Sequence, residues 1–286
     1  MKHIKYFFQF IFIISFIFIF KIIGIKLAVK FSGNLVKFLG PFFRSKNLIK
    51  KNILKALPNS SNDEVNTIAL NMWENYGRIL AEYAFIKNFR RSKLKNKIQV
   101  VGQEILEDIK NSQEPVIFIS GHFNNFELMA MHIEQSGIEL AAVYRPLNNK
   151  FLNIIMEKLR KNFMCKNQVK KGISGTKQLL SFFKKKTSIA LMIDQRVSEG
   201  TKLNFFDQKA YTTTIPAQFV KKFNCKVVPI YIERKKDQNF QLKVYDPIKF
   251  NDDNSIEHIT LRLNSILEKM ILNNPSQWIW SHNRWK

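Results

Sequence analysis

Cysteine is nearly missing from the chain. The two present, Cys165 and Cys225, are far apart and form no Cys-x-x-Cys pair. That spacing excludes a zinc ribbon and a disulfide scaffold, and it fits a reducing compartment. His3, His132 and His258 show no His-Glu-x-x-His spacing, so no catalytic metal is expected. Gly172-Ile173-Ser174-Gly175-Thr176-Lys177 lacks the four residues a phosphate-binding loop needs between Gly and Gly-Lys, which excludes a Walker nucleotide site. No Gly-x-Ser-x-Gly elbow offers a covalent serine. No helix-turn-helix, zinc or RNP pattern points to nucleic acid.

Acidic residues are scarce as well. The 286 residues carry 46 Lys and Arg against 22 Asp and Glu, a formal charge of +24. The first 62 residues hold 11 basic side chains and no carboxylate. Such a chain expects acidic partners, and the candidates are nucleic acid, an anionic membrane surface and an acidic carrier protein.

The same N-terminal region is apolar. Tyr6 to Phe20 has only Gln9 and Ser15 as polar residues, and Ile22 to Ile25 continues past Lys21. As a helix, Tyr6 to Ile25 reaches about 30 Å, enough for a bilayer core. No small-residue cleavage site follows it. Nine of the eleven basic residues come after the run, which places the body on the cytoplasmic side. Spanning the bilayer and lying in its interface both remain open.

Arg44 to Leu57 reads as a basic amphipathic helix ended by Pro58. Ser61 and Glu64 form a capping box. It starts a helix to about Phe85 with the stripe Val65, Ile68, Met72, Trp73, Tyr76, Ile79, Leu80 and Tyr83. After Arg90 short strands alternate with helices. Strands are expected at 97–101, 115–120, 140–144, 188–193, 226–232 and 240–245. Helices are expected at 126–135, 151–163, 176–183, 213–223 and 255–272. The alternation predicts an α/β fold, a mixed, mainly parallel sheet flanked by helices. The expected organisation is a membrane anchor helix over 1–30, a membrane-facing helical lead-in over 31–90 and one catalytic α/β domain over 91–286.

Within that domain Ile117 to Ser120 runs as a strand into Gly121-His122, and Glu127 follows at the start of the next helix. Ligands of open α/β sheets gather at such strand ends. Five residues apart, His122 and Glu127 can meet only if the histidine lies in the turn before the helix. A carboxylate on one imidazole nitrogen frees the other to take a proton from a hydroxyl. Asp194 also closes a strand. If both strands are parallel it reaches the same edge and competes with Glu127 as the partner of His122.

Gly121 to Glu127 resembles the His-x4-Asp/Glu motif of the bacterial lipid A secondary acyltransferases, the lauroyl and myristoyl transferases. Tyr144-Arg145-Pro146-Leu147-Asn148-Asn149 is similar to that family's Tyr-Arg-Pro block. Gly172 to Gly175, and Asp194-Gln195-Arg196, look like its Gly and Asp-Gln blocks. Phe205-Phe206, Ala210 and Thr212-Thr213 resemble its Phe-Phe-Gly…Ala…Thr segment, and Pro275 to Lys286 its Trp-rich tail. Asp207, Ser276 and Asn283 depart from the pattern, which bears on acceptor and acyl-chain preference. The resemblance implies a glycerolipid-acyltransferase-like fold at the inner membrane. It implies transfer from acyl carrier protein thioester to a hydroxyl of a Kdo-bearing lipid A precursor. The phosphopantetheine thioester is then the donor substrate and no separate cofactor is needed. His122 and Glu127 are the implied catalytic pair, with Asp194 and Arg145 in support. Asn125, Arg145, Gln195, Arg196, His282 and Arg284 are expected substrate contacts. Another lipid acceptor, or water in a thioesterase, would use the same pair.

Overall fold

The computed structural model describes residues 2–286. Helix α1 (Lys2–Leu39) is broken at Gly24, whose φ of 77° and ψ of 162° are not helical. With the 3-10 turn Gly40–Phe42 that follows, the segment His3–Phe42 is long and apolar enough to cross a membrane. Helix α2 (Lys46–Ala56) is capped by the Ser45 side chain. Helix α3 (Asn62–Tyr83) starts at the expected capping box, with Ser61 and Glu64 each accepting the other's backbone N–H. Its stripe is partly corrected. Val65, Met72 and Trp73 are buried, whereas Leu80 is 53% exposed. Gly77 and Ala81 instead form a second buried face, which packs on α1.

The body follows as α4 (Ile86–Arg91), β1 (Ile98–Val101), α5 (Gln103–Ser112), β2 (Ile117–Ser120), α6 (Glu127–Gln135), β3 (Leu140–Tyr144), α7 (Lys150–Phe163), β4 (Asn167–Lys170), α8 (Ile173–Lys184) and β5 (Ser188–Met192). A hairpin of β6 (Thr201–Phe205) and β7 (Gln208–Thr212) precedes α9 (Ile215–Phe223), β8 (Val227–Arg234), β9 (Phe240–Val244) and α10 (Ile256–Asn273).

Seven strands form one sheet in the order β1-β9-β8-β2-β5-β3-β4. All neighbours are parallel except β8 and β9. This is the mixed, mainly parallel sheet flanked by helices that the alternation predicts. Buried on both faces, β2 is continuously apolar from Ile117 to Ile119. Each of those side chains contributes about 1.5–3 kcal/mol by leaving water. Ile49 and Ile53 of α2, Met72 and Trp73 of α3, and Trp278 and Trp280 of the tail join the same core.

Candidate active site

Strands β2 and β5 are parallel neighbours with Ser120 opposite Met192. Two residues beyond each partner come His122 and Asp194, so the register alone sets them side by side. The chain turns there at Gly121. A Cβ on Gly121 would lie 2.9 Å from the Phe123 ring and 3.2 Å from Asp194 Oδ2. The missing side chain is what lets the turn close on the carboxylate.

Asp194 is fully buried and accepts three hydrogen bonds. His122 Nδ1 lies 2.7 Å from Oδ1, and the His122 backbone N–H donates to Oδ2 at 2.7 Å. The Trp278 indole N–H donates to Oδ2 at 2.9 Å. Burial pushes the Asp194 carboxyl up. The His122 imidazole and these hydrogen bonds outweigh it and hold the carboxyl below its ordinary value. With Asp194 ionised, Nδ1 carries the ring proton and Nε2 is left as the acceptor. Gln195 Nε2 is 3.4 Å from it. The Phe126 ring fixes the imidazole from the side, edge-on at 4.8 Å.

Glu127 does not serve His122, a correction to the sequence reading. It opens α6, but its Oε1 accepts from Arg160 Nε at 2.8 Å, Arg160 Nη2 at 2.6 Å and Tyr83 OH at 3.0 Å. The Arg160 guanidinium stacks near the Tyr144 ring at 5.6 Å. Its Nη1 is buried and unpaired among the described residues.

These groups surround a cleft of about 500 Å³. His122, Gln195, Glu127, Arg160 and His282 are in its wall, with Tyr144 to Asn148 and Lys170 to Gly172 around it. Phe126, Ala130, Ala142, Leu179, Ala190 and Met192 make much of it apolar. Arg145 is exposed there. His282 Nε2 accepts the Arg196 backbone N–H at 3.1 Å. Burial and the nearby cations lower its pKa to about 4, against the pull of Asp194, so the ring is neutral.

Three expected substrate contacts point elsewhere. Asn125 is buried and donates to Glu82 Oε2 at 2.9 Å. Arg284 is fully buried and donates to Tyr211 O at 2.6 Å and Thr212 Oγ1 at 2.7 Å, clamping the hairpin to the tail. The Arg196 guanidinium lies over the Tyr211 ring at 5.5 Å, outside the cleft lining.

The sequence reading missed Arg160, Tyr83 and the role of Trp278. A second buried network also went unread. Arg234 pairs with Glu82 and donates to Asn124 Oδ1 at 2.8 Å, holding the turn after His122, where Asn124 has φ 44°. A lone arginine in an apolar strand such as β8 was the available signal.

A buried carboxylate on a histidine thus stands at the end of parallel strands and opens to a largely apolar cleft. The family model of the bacterial lipid A biosynthesis acyltransferases matches residues 1–286. The chain is 24% identical over 246 residues to a lipid A biosynthesis acyltransferase of Haemophilus influenzae, covering 84% of this chain and 76% of that one. It is 22% identical over 252 residues to the lipid A biosynthesis palmitoleoyltransferase of Escherichia coli, covering 86% and 80%. The lipid A biosynthesis myristoyltransferase of Escherichia coli is 23% identical over 247 residues, covering 85% and 75%. Among solved structures, the 1-acyl-sn-glycerophosphate acyltransferase of Thermotoga maritima overlaps 96% of this chain and 99% of its own, at 10% identity and a TM-score of 0.42. The chain belongs to the bacterial lipid A biosynthesis acyltransferase family. It is an acyltransferase acting on lipid, and its apolar N-terminal helix is consistent with a membrane location.

Proposed function

We propose that the protein transfers a fatty acyl group from acyl carrier protein thioester to a hydroxyl of a Kdo-bearing lipid A precursor, at the cytoplasmic face of the inner membrane. The observation that carries this reading is the 2.7 Å contact of His122 Nδ1 with buried Asp194, which leaves Nε2 free at the cleft. Nε2 takes the acceptor hydroxyl proton as the oxygen attacks the thioester carbonyl carbon. The carbon–sulfur bond then breaks, and the leaving thiolate takes the proton from the imidazolium. Asp194 stabilises the imidazolium in between. Arg160, with Nη1 unpaired among the described residues, supplies positive charge toward the thioester oxygen as it becomes anionic. Glu127 and Tyr83 hold Arg160 in place. Arg145, Lys170 and Lys171 supply charge for a phosphate of the acceptor or of the phosphopantetheine. The formal charge of +24 suits both the acidic carrier protein and an anionic leaflet.

The test is an assay of the purified full-length chain with a panel of acyl carrier protein thioesters and lipid acceptors. Acyl-lipid A precursor forms with the native chain and not with His122→Ala. Thioester loss at full rate without acceptor identifies a thioesterase. Transfer only to other lipids moves the enzyme to a different acceptor.

A further inference from the structure

By composition α1 fits a helix that crosses a bilayer, yet its contacts run along the protein from end to end. Near its start, Asn149 donates to Tyr6 O at 2.8 Å and approaches Gln9 Oε1 at 3.4 Å. The rings of Phe7 and Phe10 lie 5.9 and 5.8 Å from that of Phe151. Midway, Phe16, Phe20 and Ile23 pack with Ala81, Ala84 and Phe85 of the α3 end. Beyond Gly24, the Ser32 hydroxyl donates to Gly77 O at 2.6 Å, and Lys37 pairs with Glu74 at 2.9 Å. The opposite side is bare. Phe8, Phe12, Phe18 and Ile22 are 64–68% exposed, and Phe38, Phe42 and Phe43 are 71–78% exposed at the far end.

A spanning helix touches a charged body at one end only. Here both ends touch it. An upright α1 would carry Asn149 and exposed Lys150 into or through the hydrocarbon, an environment that penalises charge.

We propose that α1 lies in the plane of the cytoplasmic leaflet, one side on the body and the other in lipid, and fixes the cleft at the hydrocarbon boundary. This rests on the cytoplasmic placement proposed above. Helices apolar all round are buried all round. In α1 protein covers one side and acyl chains the other, so its weak amphipathicity no longer requires a span. Exposed Lys5, Lys21, Lys26 and Lys30 extend their charges to the phosphates. Asn149 makes the functional link. It closes the segment Tyr144 to Asn148 at the cleft, caps α7 by accepting from Phe151 N at 3.1 Å, and bonds the anchor. A lipid acceptor therefore enters the cleft sideways, from the leaflet beside α1.

The experiment uses the full-length chain in native membranes. Cys165 and Cys225 are buried, with thiols pushed up to about 12, and stay silent toward maleimides. A short bismaleimide is expected to bridge Phe7→Cys to Phe151→Cys within one chain. An impermeant maleimide should leave His3→Cys and Lys46→Cys unlabelled in intact spheroplasts, and label Lys46→Cys in inverted vesicles. Labelling of His3→Cys, but not Lys46→Cys, from the periplasmic side overturns the proposal, as does absence of the bridge in active protein. Bridging with both cysteines labelled from the periplasm keeps the in-plane helix and removes the cytoplasmic placement instead.

Discussion

Trp278 donates its indole N–H to the same oxygen of Asp194, Oδ2, that receives the backbone N–H of His122. The C-terminal tail is thus part of the carboxylate's setting, although 84 residues separate the two. Asp194 uses both oxygens as acceptors, and an amide there keeps the two Oδ2 bonds only by turning its NH2 toward His122 Nδ1, which must then give up its proton.

Asp194→Asn should therefore cost far more than its size suggests. It removes the charge that stabilises the imidazolium and favours the wrong tautomer. The acyl-transfer rate should fall by about 10³- to 10⁴-fold, the scale of comparable triads. Rates measured beside thermal unfolding separate catalysis from folding. A rate within tenfold of native in folded protein would remove Asp194 from the mechanism.

Glu127→Ala should act first on stability. It strips the Arg160 guanidinium, whose side chain is only 11% exposed, of its counter-ion. Breaking such a pair costs about 3–5 kcal/mol when fully buried, and somewhat less beside a cleft. Glu127→Gln should be milder and should leave the acidic limb of the pH–rate profile in place, whereas Asp194→Asn displaces it. Identical profiles for the two variants would contradict the division of roles.

His282 should make the fold acid-sensitive. Its pKa is about 4 in the fold against an ordinary 6.5. Between those values the unfolded chain binds the extra proton, so stability falls as pH drops from 6.5 toward 4. The contribution is at most ~3 kcal/mol. The depressed Asp194 carboxyl acts lower, with its stability lost only as pH falls below the ordinary carboxylate range. Melting temperatures of the native chain and His282→Asn across pH 7 to about 4.5 test this. The native curve should drop more steeply, and parallel curves would refute it.

Gly77→Ala should loosen the anchor from the body. The added Cβ would sit 2.1 Å from Ser32 O, backbone that cannot rotate away. Overpacking of this kind costs about 1–3 kcal/mol. Gly33→Ala is the control, since its Cβ would meet the flexible Arg78 side chain at 3.1 Å. Unfolding in detergent should separate the two, and equal melting temperatures would show that α1 and α3 do not pack this closely.

The sheet was legible because its strands are buried and apolar, and Ile117 to Ser120 is the clearest. Strand β4 was not, because Asn167 and Gln168 are half-exposed at the sheet edge and break the apolar run. The β6–β7 hairpin was hidden too. Its turn uses Phe206 and Asp207 at φ 50° and 53°, where Asn-Gly is the usual signal. Helix α5 was overlooked because only Leu106 and Ile109 are buried on it. In the site, nearness in sequence favoured Glu127, whereas strand register favoured Asp194, and register decided the contact. Arg284 read as a substrate contact because a pattern of residue types carries no sign that a guanidinium is clamping the tail to the hairpin.

The Trp278 hydrogen bond also sets an order of events. A ribosome releases α1 first, and the anchor can reach lipid while the sheet is still being made. Asp194 receives its third donor only when Trp278, 84 residues further on, has emerged and folded back. On the proposed mechanism the N-terminal helix thus leads and the His122–Asp194 pair is completed last, so a chain stalled before Trp278 would lack one of the donors that settle the carboxylate.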